Sequence, residues 1–237
     1  MVAGCNIRPG PPPLEEMPDQ NFSATEIDSI MQNYAFKYDD PIVLDSINLL
    51  IPITFDQPKR GNKLDFGSEY SSYTKNHNWN VMFYNALTKE VTTLVNQKSI
   101  IEEIDPKNHS NYSKELRTKI FYSIKQKDHN NDQLLDKKDP TRLFVSNFNG
   151  QDLKPISPQR EHLLDYAIMD NQPHLIIKTR RDVNQDLTFS TEDPVIWYSA
   201  ILEDDSWVVV EIAGPTHHDN LEKLFFQHWV KESKHKQ

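Results

Sequence analysis

At 237 residues the chain is long enough for one ordinary hydrophobic core or for one array of repeated units. Hydrophobic residues make up 37% and charged residues 26%, and no run approaches the ~18–20 apolar residues of a membrane-crossing helix, which sets aside the disordered and helical-membrane classes. The net charge is −9 with scattered acids, and KESKHK at the C-terminus is the one dense basic run, so no nucleic-acid partner is expected.

The first residues read MVAGCN. VAGC resembles the lipobox that precedes the acylated cysteine of bacterial lipoproteins. Cys5 is the only cysteine, so the chain has no internal disulfide. RPGPPPLEEMPDQ follows it, a stiff polar spacer of the kind that separates an anchor from a folded body. The resemblance implies lipidation at Cys5, membrane attachment through the lipid alone, and a place in the bacterial envelope, periplasmic or on the outer membrane. Asn6, rather than an aspartate, implies outer-membrane sorting. Residues 1–20 are thus read as leader-like segment and linker, and 21–237 as a single β-rich repeat domain.

Next, SATEIDSIMQNY has the pattern of a short helix: Ser23 and Glu26 form a capping box, and Ile27, Ile30 and Met31 share a face. Short β-branched and aromatic runs then alternate with turn residues, the signature of strands. They repeat. Setting KDHNNDQLLDKKDPTRLFVS against RDVNQDLTFSTEDPVIWYS at a shift of 54 residues aligns Asp128, Asn130, Asp132, Leu135, Asp139 and Pro140 with Asp182, Asn184, Asp186, Phe189, Asp193 and Pro194. Extending the comparison gives a four-strand unit occurring three times, over about 42–95, 98–157 and 162–213. Its first strands are IVLDSI, SIIEEI and HLLDYAIM; its second LLIPITF, KIFYSIK and HLIIKTR; its third NVMFYNA, RLFVSNF and VIWYSAI; its fourth EVTTLV, DLKPIS and SWVVVEI. Four short antiparallel strands per repeat is the design of a propeller blade. Trp197 and Trp207 fall inside these strands and read as core. A C-terminal helix is expected over 219–233 with Asp219 as N-cap and His217–His218 in the preceding loop; Leu221, Leu224, Phe225, His228 and Trp229 form its stripe, expected to dock on the body.

LFVSNFNGQDLKPISP resembles the TolB-like propeller repeat, in which a strand ends in an Asn/Asp-Gly turn that leads to L-x-x-L-[ST]-P. Phe148, Asn149 and Gly150 make that turn. The likeness covers about 98–213 and is poor over 42–95. Only six glycines occur in the chain, and SPQREH stands where good repeats carry a Ser-Pro-Asp-Gly turn. The resemblance implies a mainly β, propeller-like fold with about three blades. Three are too few to close a ring of roughly four to eight, so the terminal helices and a partner are expected to cover the outer sheets.

The aligned loops also carry an EF-hand-like ligand pattern, with oxygens at positions 1, 3, 5, 7, 9 and 12 and an apolar anchor at position 8. In the first loop these are Asp128, Asn130, Asp132, Leu134 (through its carbonyl), Asp136 and Asp139, anchored by Leu135. In the second they are Asp182, Asn184, Asp186, Thr188, Ser190 and Asp193, anchored by Phe189. Position 6 is Gln133 or Leu187 rather than glycine, position 12 is Asp rather than Glu, and strands replace the flanking helices. Calcium in a structural role is the expected cofactor; Asx turns closing two hairpins are the alternative. The segment 54–78 lacks the pattern and reads as a long loop without a site.

No G-x-S-x-G elbow, P-loop, G-x-G-x-x-G or HExxH occurs. The pairs Glu102–Glu103 and Asp204–Asp205 read as solvated acids at turns or strand ends. The expected function is a non-catalytic, lipid-anchored envelope scaffold or protein-binding module, with another envelope protein or a second copy of itself as partner. The alternatives are a hydrolase acting on a glycan or peptide at a blade edge, and a secreted, anchor-free binding module for which MVAGCN is accidental.

Overall fold

The computed structural model describes residues 35–56, 77–106, 111–132 and 135–230. Three antiparallel sheets follow one another along the chain. The first holds β1 (Ala35–Tyr38), β2 (Ile42–Val43), β3 (Asn48–Asp56), β4 (Asn80–Asn85) and β5 (Val91–Thr93). The second holds β6 (Ile100–Asp105), β7 (Lys119–Lys125), β8 (Arg142–Asn147) and β9 (Lys154–Pro155). The third holds β10 (Glu161–Ile168), β11 (His174–Arg181), β12 (Val195–Glu203) and β13 (Ser206–Ala213). All twelve expected strands form, in the expected order. The strand not expected is β1, which pairs with the far half of β3 while β2 pairs with the near half. The two share one rank, so the first sheet is also four strands wide. The helix expected over 23–34, Cys5 and residues 57–76 lie outside the described residues.

The second sheet is the middle layer. On one side Ile120, Tyr122, Ile124 and Phe144 pack against Leu50, Val81 and Phe83 of the first sheet. On the other, Phe121, Leu143 and Val145 pack against Leu175, Ile177, Ile196 and Tyr198 of the third. This explains the continuous apolar run KIFYSIK of β7, which is covered on both faces. By contrast, β13 alternates: Trp207 and Val209 pack inward while Val208 and Val210 stay exposed. Leu50, Ile120, Leu143, Leu175 and Ile177 have no accessible surface, and truncating any one to alanine costs on the order of 2–5 kcal/mol.

The repeat extends to features the residues do not spell out. A β-bulge interrupts the pairing of the first two strands between Ile101 and Glu103 in the second sheet, and between Leu163 and Asp165 in the third. The first of these sheets is tied to its neighbour at Gly150. Its φ is +75°, and a Cβ there would lie 2.4 Å from the ring of Phe83, so the β8–β9 turn closes directly onto the first sheet. Only glycine meets both demands. The β12–β13 hairpin turns through Asp204 and Asp205, both with positive φ, as a two-residue turn matched to the strand twist requires.

Three expectations are corrected. The C-terminal helix, α1, runs from Pro215 to Phe225 and continues as a π-turn to Val230. Gly214 rather than Asp219 is its N-cap, and His217 and His218 lie within its first turn. Its apolar stripe does not dock on the body: Leu221, Leu224, Phe225 and Trp229 are all at least half exposed. The cause is the junction, where one residue, Gly214, separates β13 from α1 and leaves no loop to reverse the chain. Trp197, expected in the core, sits on the outward face of the third sheet under Lys178, whose Nζ lies 5.3 Å from the ring centre. The three sheets remain open, each with its own edges.

Candidate functional site

The two aligned loops join equivalent strands, β7 to β8 and β11 to β12, and they fold alike. In each, the position-3 asparagine accepts the position-5 backbone N–H: Asp132 N–H to Asn130 Oδ1 at 3.0 Å, and Asp186 N–H to Asn184 Oδ1 at 3.1 Å. The same asparagines donate from Nδ2 back to the position-5 carboxylates at 2.8 and 3.0 Å. Between them Asn131 and Gln185 both take positive φ, 57° and 60°. Position 1 also accepts backbone protons, from Asp132 at 3.2 Å in the first loop and from Gln185 at 2.7 Å and Leu187 at 3.0 Å in the second.

The loops touch. His129 of the first places Nε2 3.9 Å from Asp182 Oδ2, and its ring lies 5.3 Å from that of Phe189. The Phe189 ring also lies 5.6 Å from that of His162. The anchor of the first loop, Leu135, is fully buried, whereas Phe189 is half-buried beside the two imidazoles.

As ligands, the residues divide. Asp136 and Asp139 are buried, Asp128 is half-buried, and Leu134 lies outside the described residues. Burial, then the charges of Asp128 and Asp136, raise the Asp139 carboxyl above its ordinary range. Asp136 Oδ2 is buried and makes no hydrogen bond. In the second loop Asn184, Asp186 and Thr188 are exposed; Thr188 donates to Asp186 through both its hydroxyl and its backbone N–H, holding that carboxyl below its ordinary range. Among the described residues no three His, Cys, Asp or Glu side chains converge on one point as metal ligands do. The donor chemistry of the first loop, hard oxygens with one buried carboxylate oxygen unclaimed, suits a hard cation better than that of the second.

Beside the first loop a cleft of about 460 Å³ opens between the second and third sheets, lined by Glu102, Lys125, Thr141, His162, Asp165 and Tyr166 among others. Lys125 is 1% exposed; its ammonium donates to the Asp139 carbonyl and lies 3.8 Å from Glu102 Oε1. Burial lowers the Lys125 pKa, and the Glu102 carboxylate opposes that shift. Thr141 donates its hydroxyl to Glu102 Oε2 and its N–H to His162 Nδ1, the latter at 3.1 Å. Burial, then the Lys125 charge, pushes the His162 pKa down to about 4, so the ring is neutral at pH 7 with its proton on Nε2. The expectation of a solvated Glu102 is corrected: the bulge at this point turns its side chain to Lys125. No family model matches the chain, and no curated protein matches it.

Sequence reasoning missed this lysine and a second cluster behind the other loop. Arg181 donates to Glu161 at 2.6 Å and to Glu211 at 2.9 Å, while Tyr198 donates to Glu161 at 2.7 Å. A signal existed for Lys125, a lysine closing the mostly apolar run IFYSI of β7. For Arg181 there was none, because its partners sit on three other strands. Both clusters join charges to charges across neighbouring strands.

Proposed function

We propose that the protein is a non-catalytic binding module of the bacterial envelope, anchored through a lipid on Cys5 and built as a propeller-like stack of three blades. The observation carrying this reading is apolar surface left open at one end of the stack. Trp197, Val208, Val210 and Ile212 on the third sheet, and Leu221, Leu224, Phe225, Phe226 and Trp229 on the helix, are all more than a third exposed. Exposed apolar surface of this extent marks a contact with another macromolecule. Calcium in the first loop would lock the turn that carries Asp128, Asp136 and Asp139. The hydrolase alternative is less well supported, since in the cleft Lys125 pairs with Glu102 and His162 accepts from the Thr141 N–H.

The test is cross-linking in intact envelopes from a photoreactive residue placed at position 210 or 229, with position 149, on the sheet-turn side, as control. A discrete protein adduct from the apolar positions alone is expected; equal yield at all three sites would overturn the reading. Mass spectrometry of the envelope-isolated protein should find Cys5 acylated.

A further inference from the structure

The chain carries two apolar surfaces that its own covalent geometry keeps apart. β13 ends at Ala213 and α1 begins at Pro215, with Gly214 alone between them, extended at φ −135° and ψ −162°. The residue before a proline is held in this region. A helix returning onto the sheet it leaves needs a connection of about two to six residues. So α1 leaves the third sheet without turning back, presenting Leu221, Leu224, Phe225 and Trp229 away from the body that its sequence pattern was suited to cover. Phe225 stacks on Trp229 of the same element, 6.4 Å between ring centres. On the sheet, Val208 and Val210 alternate along β13 and share the outward face of Trp197 on β12, while Ile212, also exposed, lies at the register shift opposite Trp197 and Tyr198.

We propose that α1 docks on the outward face of the third sheet of a second copy, each copy lending its helix to the other in a two-fold dimer. This rests on the binding-module reading and names its partner. Among the described residues, one long helix and the apolar outward face of the third sheet are a pair that a reciprocal two-fold exchange satisfies. The size is adequate. Four helix side chains, each with on the order of 100 Å² still accessible, meet a sheet face of similar area; two such contacts remove roughly 1,500 Å², within the range of a stable dimer. The rims are complementary as well, with Glu222 flanking the helix stripe and Lys178 flanking the sheet's apolar patch.

The experiment uses the full chain carrying Cys5→Ser, studied by light scattering and sedimentation over about 1–100 μM. A dimer is expected, and Val210→Glu or Leu224→Glu should each give a monomer with an unchanged circular dichroism spectrum. Because either variant could also fail to fold, a second measurement pairs Val210→Cys in one copy with Leu224→Cys in another. Mixed under mild oxidation, they should give the mixed disulfide in large excess over either homodimer. A monomeric chain, or a dimer that survives either glutamate, overturns the exchange. So does a monomer that instead binds phosphatidylglycerol vesicles through the helix. A monomer that still gives the discrete envelope adduct overturns the exchange but leaves the binding-module reading standing, whereas loss of that adduct alone overturns only the latter.

Discussion

Asp139 and Asp193 stand 54 residues apart and do the same work: each accepts, through Oδ2 and at 2.9 Å, the backbone N–H of the residue three before it, Asp136 or Ser190. Each returns its own N–H to that residue's carbonyl, at 3.2 and 3.3 Å. This reciprocal turn is what D-P at the end of each loop encodes, and it forms without an ion.

Adding millimolar calcium to the apo protein should raise its Tm, by the linkage any ligand of the native state obeys. Asp128→Ala should remove most of that increment and Asp182→Ala a smaller part, since the unclaimed carboxylate oxygen belongs to the first loop. Both substitutions will also lower the calcium-free Tm by breaking bonds to the backbone, so the increment rather than the Tm is the measured quantity. No increment in the unsubstituted protein would leave the loops as Asx turns.

How far the sequence carried can be argued from these same loops. The twelve strands and the 54-residue register were legible because local signals, period and turn residues, decide them. The lysine at the end of KIFYSIK was readable as a residue but not as buried, since its burial follows from a sheet stacked on it. The failure at α1 is of another kind. Leu221, Leu224, Phe225 and Trp229 form a true amphipathic stripe, yet periodicity says nothing about whether a one-residue connection lets the stripe reach the core. Trp197 failed similarly: its strand was right, but a terminal sheet has an outward face, and which residues lie on it depends on how many sheets stack.

Neutral, half-buried His162 makes stability depend on pH. Its folded pKa of about 4 lies below the ordinary 6.5, so the unfolded chain takes up the proton first as pH falls. The contribution is complete above about pH 6.5 and is lost as pH drops toward 4, amounting to roughly 2 kcal/mol between pH 7.5 and pH 5. Urea unfolding of the wild type and of His162→Gln at both pH values measures it. The gap between the two proteins should shrink by about that amount at pH 5; a constant gap would mean that the ring titrates normally.

Lys125 and Glu102 make a second test of burial. Removing one member of a largely buried pair leaves the other charge with poor solvation, whereas replacing both by apolar groups relieves it. Glu102→Leu alone should cost about 2–4 kcal/mol, because the ammonium is 1% exposed. Adding Lys125→Met should recover part of that loss, a coupling on the order of 1–3 kcal/mol in a double-mutant cycle. Additive effects would show that the Asp139 carbonyl, rather than Glu102, holds the lysine in place.

Gly150 separates strain from crowding. Alanine there meets two penalties, a backbone at φ +75° and a Cβ 2.4 Å from the Phe83 ring. The first costs about 1 kcal/mol and is independent of the neighbour; the second adds roughly 1–3 kcal/mol of overpacking and depends on it. Gly150→Ala should therefore lose about 2–4 kcal/mol in the wild type. In a Phe83→Leu background the same change should cost only about the backbone share, because the crowding ring atoms, Cδ2 and Cε2, are gone or displaced. An equal loss in both backgrounds would make the turn's conformation the whole constraint, and the second sheet would then owe nothing at this point to its contact with the first.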